Sequence, residues 1–221
     1  MIPEDNYQIE GIFPLPVYMA KRDSDLDSTE KKEVEDIIDE GMHDPTHEPR
    51  GGNWTSHNTY IFNNKLTKIK QFCEKHINIY VKEILNPKEE VNYYITQSWL
   101  NVINPGDWSN TNHYHSNSLI SGVFYVSTAE GDMITCIDPL TEKKEQVLYS
   151  KTKEDVNIWN APEWSFPVKN NQLILFPSWL VHYVQINESA RSEPRMTIAF
   201  NTYAKGRFGT AFNRNELILS L

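Results

Sequence analysis

The sequence predicts an α+β protein that is mainly β, because helix-like and strand-like periodicities occupy different parts of the chain. In the first part, apolar residues recur at three- and four-residue steps, which is the spacing of an amphipathic helix. From Val91 onward the pattern changes to short runs rich in β-branched and aromatic residues, separated by Pro, Gly, Asn and Asp. Helices followed by many short strands indicate a barrel or a sandwich with helices packed on it. We expect one domain over residues 1–221, with an extended segment and supporting helices in 1–90 and the β core in 91–221.

Two helices are predicted before residue 90. The first begins at Asp27, because a side-chain oxygen there is followed three residues later by Glu30, and Gly41 is its expected end. The second follows an apolar stripe over residues 66–85. It ends before Pro87, since a proline disfavours the helical conformation in the residue that precedes it.

Six strands are predicted in the second part of the chain. They cover residues 93–103, 119–127, 133–137, 172–176, 181–186 and 196–203. The segment 45–56 between the two helices is polar and contains two glycines, so it is either a connector or a lid over a pocket.

Composition excludes several classes of protein. The formal net charge is −9, and no run of Lys and Arg exceeds two residues, so binding to a nucleic-acid backbone is not expected. Cys73 and Cys136 do not form a disulfide framework, and we expect both to be buried thiols. The chain shows neither a signal peptide nor an apolar run of membrane-spanning length, so a soluble, cytoplasmic protein is expected.

Three histidines have the spacing of a mononuclear metal site. His113 and His115 flank Tyr114 just before an apolar, strand-like run, and His182 follows a second apolar run late in the chain. Side chains at positions i and i+2 of a strand point to the same side. Two imidazoles at that spacing can therefore bind one ion, and a distant third can complete the site.

Arg195 and Thr197 follow the third histidine and suit an anionic co-substrate. They are two residues apart on one predicted strand, so both side chains point to the same face. An arginine can bind a carboxylate through two parallel hydrogen bonds. A hairpin between His182 and Arg195 would place these groups and the histidines in one cavity. Imidazole ligands with open coordination positions, next to a cation for a dianion, are typical of a 2-oxoglutarate-dependent Fe(II) oxygenase.

The chain also resembles a known family along most of its length. The matching segments are residues 13–17, 54–56, 97–106, 113–126, 175–182 and 195–201. In these segments it is similar to a 2OG-Fe(II) oxygenase family found in marine bacteria and their phages. The resemblance implies a double-stranded β-helix (jelly-roll, cupin-like) core, bound Fe(II), and 2-oxoglutarate and O2 as co-substrates. It also places the chain near prolyl-hydroxylase-like oxygenases, in which Tyr125 would lie along the co-substrate pocket.

One metal ligand departs from the usual pattern of the wider superfamily. There the first motif is His-x-Asp or His-x-Glu, whereas this chain has His115 at the second position. Three sites are then possible. All three histidines bind the ion, or two histidines bind it with water in the carboxylate position, or Asp138 joins the site as a remote carboxylate. His113 and His182 are the first candidates, His115 is the next and Asp138 the last, because Asp-Pro is a common turn dipeptide.

The expected function is hydroxylation of a peptide residue or a small metabolite, with release of succinate and CO2. Two alternatives remain. The first is a three-histidine, cupin-type dioxygenase that does not use 2-oxoglutarate, although the glutamate expected soon after His-x-His is missing. The second is a non-catalytic jelly-roll module that binds a sugar or a metal.

The substrate and the oligomeric state are not fixed by the sequence. Specificity is expected in residues 45–56 and 138–167, where three aromatic side chains could form a wall or cover the sheet: Trp159, Trp164 and Phe166. Four further residues are candidates for the pocket mouth: Asn101, Trp108, Asn112 and Trp179. An exposed apolar patch would allow a homodimer. The compartment would be the host cytoplasm if a phage encodes the protein.

Overall fold

The computed structural model describes residues 10–43, 52–87, 91–107, 112–143, 156–185 and 192–220. Its helices are α1 (Ser28–Asp39) and α2 (Thr67–Tyr80), and α2 continues into a π-helical turn at Val81–Leu85. Its strands are β1 (Tyr18–Lys21), β2 (Met42–His43), β3 (Trp54–Ser56), β4 (Val91–Ile103), β5 (Ile120–Ser127), β6 (Met133–Ile137), β7 (Glu163–Pro167), β8 (Gln172–Pro177), β9 (His182–Gln185), β10 (Arg195–Phe208) and β11 (Leu217–Leu219).

A large antiparallel sheet forms the frame of the molecule. Its strand order is β1-β8-β5-β10-β4-β3-β2, and β11 pairs with the end of β10. The two long strands β4 and β10 lie next to each other near its centre, with Thr197 opposite Asn101. The register shifts between Asn201 and Thr202, where β4 has one extra residue, Thr96, relative to β10. Because side chains alternate along a strand, each strand sends every second residue to each face of the sheet.

Both helices cover one face of the large sheet. Asp27 caps α1 through the expected capping box with Glu30, and the helix ends just before Gly41, whose φ of +120° an L side chain rarely adopts. The apolar stripes of α1 and α2 are buried against apolar residues of the sheet. The buried residues that form this core include Val34, Ile37, Ile69, Cys73, Ile77, Leu100, Phe124, Leu173, Leu175, Ile198 and Phe200.

The opposite face of the sheet is partly covered by a second, smaller sheet with the order β7-β6-β9. A second apolar core lies between the sheets and contains Tyr125 and Phe176 from the large sheet and Ile134 and Cys136 from the small one. His182 lies in β9 opposite Cys136 of β6. The two facing antiparallel sheets, with helices outside one of them, are the double-stranded β-helix that the sequence predicts, in a chain that is α+β and mainly β.

The strands extend the prediction in two places. Segments before residue 90 contribute β1, β2 and β3 to the large sheet, so part of the predicted supporting region pairs with the β core; the division at residue 90 stays a prediction. The strand β7 was not predicted, because only four residues lie between Pro162 and Pro167. Within it, Phe166 packs against the second core, while Trp164 is exposed.

Other expectations are met at the level of single residues. Cys73 and Cys136 are both buried free thiols. Burial is the main cause that raises the pKa of Cys136 to about 11. Among the described residues, no helix has the length and apolarity needed to span a membrane.

Candidate metal centre and co-substrate pocket

The three histidines meet although they come from different segments. His113 and His182 form a two-residue antiparallel bridge in which the N–H of each donates to the carbonyl of the other, at 3.1 and 3.0 Å. The N–H of His115 donates to the Ser178 carbonyl at 2.9 Å. The pair His113 and His115 therefore precedes β5 instead of lying on a regular strand, and backbone bonds to the segment around β9 hold it in place.

The histidine side chains are close enough to share one ion. The candidate ligand atoms of His113, His115 and His182 all lie within 4.8 Å of one another. The ring centroids of His113 and His182 are 4.3 Å apart, and those of His115 and His182 are 5.3 Å apart with nearly parallel planes. His182 is buried, His115 is half-buried and His113 is exposed. The group is therefore open to solvent on the side of His113.

Two of the histidine rings are oriented by oxygen atoms that lie within hydrogen-bond distance of their Nδ1 atoms. Nδ1 of His182 lies 2.9 Å from the Leu180 carbonyl, and Nδ1 of His115 lies 2.7 Å from Oδ1 of Asn201. Because an oxygen of either kind only accepts, both rings carry their proton on Nδ1 and keep the Nε2 lone pair. A histidine that binds a metal through one ring nitrogen usually donates the N–H of its other ring nitrogen to an acceptor in this way.

Electrostatics keep these rings neutral. Burial, followed by the neighbouring His113, lowers the pKa of His115 to about 4. The same two causes, in the same order, lower the pKa of His182 to about 3. Neutral imidazole is the form that binds a metal ion. The three nitrogens thus fit a divalent transition metal such as Fe(II), which accepts imidazole ligands.

Arg195, Thr197 and Tyr125 come together beside the second apolar core. Tyr125 lies opposite Thr197 across the β5–β10 pair, and the guanidinium of Arg195 lies 5.4 Å from the centre of the Tyr125 ring. All three side chains are buried. Nη1 of Arg195 donates to the Met133 carbonyl at 3.2 Å, which connects β10 to the small sheet.

The hydroxyl of Tyr125 is a buried polar atom that lacks a hydrogen bond of good geometry, although the Arg195 guanidinium is near enough to interact with it. Burial raises the pKa of Tyr125 to about 12, although the nearby Arg195 charge lowers it in part. The residue therefore stays protonated and can donate a hydrogen bond to an anion. A buried hydroxyl without a partner is costly, so this position suits the carboxylate of a bound co-substrate.

Asp138, the predicted carboxylate ligand, lies in a turn and not in the histidine group. Asp138 follows β6, and its Oδ1 accepts a hydrogen bond from the Leu140 N–H at 2.9 Å, as in a turn. Among described residues, the group that could share one ion contains the three histidines and not Asp138.

The predicted hairpin between His182 and Arg195 is wrong. The strand β9 pairs with β6, whereas β10 pairs with β4 and β5, so the two residues lie in different sheets. Both side chains are buried beside the second core, with the centre of the His182 ring 4.6 Å from that of Phe176 and the Arg195 guanidinium 5.4 Å from the centre of the Tyr125 ring. A short sequence separation is compatible with a hairpin or with a crossover between sheets, and only the packing decides between them.

The other predicted site residues have different outcomes. Asn101 lies on β4 next to Thr197 and accepts a hydrogen bond from Thr55 at 3.0 Å. Trp179 is 57% exposed, and Asn112 is exposed as well. Trp108 and residues 45–51 of the predicted lid lie outside the described residues, while Trp54–Ser56 of that segment forms β3.

Two residues near the histidines were missed by the sequence analysis. Asn201 contacts His115, and Trp99 of β4 stacks on the His115 ring with centroids 5.9 Å apart. Asn201 lies on the same face of β10 as Arg195 and Thr197, at even spacing from both. Counting in steps of two along the predicted strand from Arg195 is the signal that could have identified Asn201.

A separate cleft lies away from these groups. It has a volume of about 530 Å³ and is lined by polar residues that include Asp23, Asp25, Asp132, Lys169 and Asn171. None of the candidate metal or co-substrate residues lines it.

Comparison with known proteins agrees with this geometry. Residues 97–201 match a family model described as "Putative 2OG-Fe(II) oxygenase". A comparison with curated proteins found no match.

Solved structures share the fold at low sequence identity. The non-heme alpha ketoglutarate dependent carbocyclase SnoK from nogalamycin biosynthesis is 12% identical, with a TM-score of 0.60 over 85% of this chain and 79% of that chain. EctD from S. alaskensis with bound Fe is 14% identical, with a TM-score of 0.55 over 85% and 72%. A Pseudomonas putida prolyl-4-hydroxylase is 11% identical, with a TM-score of 0.52 over 85% and 92%.

The matched segment contains every residue of the two groups described above, the three histidines with Tyr125, Arg195 and Thr197. Residues 97–201 are therefore similar to the 2OG-Fe(II) oxygenase family, whose reaction uses Fe(II) and 2-oxoglutarate, and the chain has the double-stranded β-helix fold of the solved oxygenase structures.

Proposed function

We propose that this oxygenase hydroxylates a peptide residue or a small metabolite, with Fe(II) held by His113, His115 and His182. The observation that carries the assignment is the group of three imidazoles within 4.8 Å of one another. Two of them direct Nε2 away from a fixed Nδ1 acceptor. Fe(II) with 2-oxoglutarate supplies the activation of O2, coupled to release of succinate and CO2.

The co-substrate is proposed to bind with its distal carboxylate at Arg195, Thr197 and Tyr125. The guanidinium supplies charge, and the two hydroxyls supply directed hydrogen bonds, on adjacent strands of one sheet. A carboxylate there would complete the partners of the Tyr125 hydroxyl. Burial of all three groups strengthens the attraction, because water screens charges less in the interior.

The substrate is proposed to approach over β3 and β4. Trp99 and Asn101 project from the same face of the sheet as Thr197, since β4 alternates and its other residues enter the helix-side core. Both are only partly buried. The stacking of Trp99 on His115 places this partly exposed surface next to the metal ligands. It offers an aromatic face and an amide, which suit a polar substrate.

A homodimer stays a prediction.

The test is an anaerobic titration of Fe(II)-loaded protein with 2-oxoglutarate, followed by the visible charge-transfer band of the chelated keto acid. We expect the band in the wild type and its loss in His182→Ala and in Arg195→Ala. His57→Ala and Arg207→Ala change exposed residues outside the pocket and should keep it. Bound iron without a band would reject the use of 2-oxoglutarate.

A three-histidine site without a carboxylate also occurs in cupin-type dioxygenases, so the same protein should be tested for O2 consumption. Dependence of O2 uptake on 2-oxoglutarate, with stoichiometric succinate, supports the proposed function. O2 uptake with a substrate but without 2-oxoglutarate would favour the cupin-type reaction. Hydroxylation itself is measured as a mass increase of one oxygen atom in the substrate.

A further inference from the structure

Asn201 is a side chain in hydrogen-bond contact with a ring nitrogen of His115, one of the three histidines. It is 8% exposed, and its Oδ1 lies 2.7 Å from Nδ1 of His115. Because an amide oxygen can only accept, the ring nitrogen that faces it must donate. The contact therefore requires the tautomer of His115 that carries its proton on Nδ1.

The surroundings of Asn201 hold its side chain in place. Ser121 lies opposite Asn201 across the β5–β10 pair, and its hydroxyl is 3.3 Å from the same Oδ1. That hydroxyl is 2.8 Å from the hydroxyl of Ser178, which in turn donates to Ser118 at 2.7 Å. The register of β10 against β4 also shifts immediately after Asn201, where Thr96 is the extra residue of β4 and its hydroxyl donates to the Asn201 carbonyl at 3.2 Å. The amide is thus part of a buried polar network.

The two oriented histidines differ in what orients them. The acceptor for His182 is a backbone carbonyl, which cannot be exchanged for a donor. The acceptor for His115 is a primary amide, whose opposite end is an NH2 group. With that end toward His115, Nδ1 would have to accept, the proton would move to Nε2, and no lone pair would face the other histidines.

We propose that Asn201 is a positioning residue that selects the Nδ1-protonated tautomer of His115 and thereby makes His115 a metal ligand. The inference rests on the proposed function, because it takes His115 to bind the ion. It explains how a histidine can occupy the position that a carboxylate holds in the wider superfamily. A carboxylate needs no tautomer choice, whereas an imidazole at that position does.

The first test needs no metal. In 15N NMR spectra of the apo protein, we expect the imidazole of His115 to be protonated on Nδ1 in the wild type. Asn201→Asp keeps an acceptor and should keep this tautomer. Asn201→Leu, which has a similar shape and no acceptor, should shift His115 toward a mixture of tautomers. A wild-type His115 protonated on Nε2 would overturn the proposal.

The second test measures Ni(II) affinity by calorimetry. Loss of a bond of this kind lowers metal affinity by about 10- to 100-fold, so we expect that loss in Asn201→Leu and recovery in Asn201→Asp. Asn160→Leu, at an exposed turn residue, is the matched control and should leave the affinity unchanged. A circular-dichroism melt of each variant separates weaker binding from loss of folding.

The outcomes distinguish this inference from the proposed function. Wild-type affinity in a folded Asn201→Leu protein would overturn the role of Asn201 and leave the oxygenase assignment intact. A wild-type protein that binds no divalent metal would overturn the metal site itself, and the role of Asn201 with it. Weaker binding in Asn201→Leu that Asn201→Asp restores would support both.

Discussion

Tyr125→Phe is expected to stabilise the apo protein while it weakens binding of the co-substrate. The variant removes a single hydroxyl that is fully buried and lacks a hydrogen bond of good geometry, although the Arg195 guanidinium is near enough to interact with it. A buried polar group left unsatisfied costs about 1–3 kcal/mol. Its removal should therefore raise the free energy of unfolding by up to that amount, because the ring keeps its packing in the second core.

The same change should reduce the affinity for 2-oxoglutarate. The pKa of Tyr125 is raised to about 12 by burial, so the hydroxyl is a donor at neutral pH. A hydrogen bond to a charged group contributes about 1.5–3 kcal/mol, which corresponds to a loss of about 10- to 100-fold in Kd. A higher free energy of unfolding together with a lower affinity for 2-oxoglutarate is the specific result, since a mutation that only damages the fold would lower both.

The assay is urea unfolding of the apo protein together with a 2-oxoglutarate titration of the Fe(II) form. Tyr18→Phe is the matched control, because the Tyr18 hydroxyl has a partner in Nδ1 of His76 at 2.7 Å. The control should lose about 0.5–1.5 kcal/mol of stability and keep its affinity for 2-oxoglutarate. A lower unfolding free energy in Tyr125→Phe would show that its hydroxyl is already satisfied in the apo protein and would refute the reasoning.

Two further predictions concern packing and pH. A Cβ added at Gly122 would lie 2.1 Å from Cζ of the buried Phe200 ring, so Gly122→Ala should cost about 1–3 kcal/mol through overpacking. Urea unfolding checks this cost, and it should shrink in the double variant with Phe200→Leu; an unchanged midpoint would contradict the tight contact. Burial, and then the nearby Lys75, lowers the pKa of His76, so the unfolded chain binds a proton there before the folded chain does. Stability is therefore retained above the unfolded pKa of about 6.5 and falls as pH drops toward the folded pKa. Unfolding free energies between pH 7 and pH 5 should fall less steeply in His76→Phe than in the wild type, and equal slopes would reject this contribution.

Much of the fold could be predicted because its signals are local. The capping box at Asp27 and Glu30 and the apolar stripe of α2 depend on residues within a few positions of each other, and both are found in the structure. The predicted strands differ from the observed ones mainly at their ends. The short strands β1 and β3 were missed as strands because each is stabilised by pairing with a distant strand, to which a local pattern is blind.

The candidate site was predicted in its residue types and not in its arrangement. The histidines, Arg195 and Thr197 were found because imidazole, guanidinium and hydroxyl groups at these spacings suit few other purposes. The placement of His182 and Arg195 in separate sheets could not be predicted, since both a hairpin and a crossover satisfy the same spacing. Asn201 was missed because a single asparagine in a strand carries no motif.

The sequence by itself determined which chemical groups this protein can offer, because the identity of a side chain and its alternation along a strand are properties of the chain. Only the tertiary structure decided what those groups do. The bridge between His113 and His182 brings together segments far apart in the chain, burial keeps His115 and His182 neutral, and the contact with Asn201 selects the nitrogen of His115 that remains free. Each of these depends on long-range pairing and on exclusion of water, which exist only once the two sheets have packed against each other.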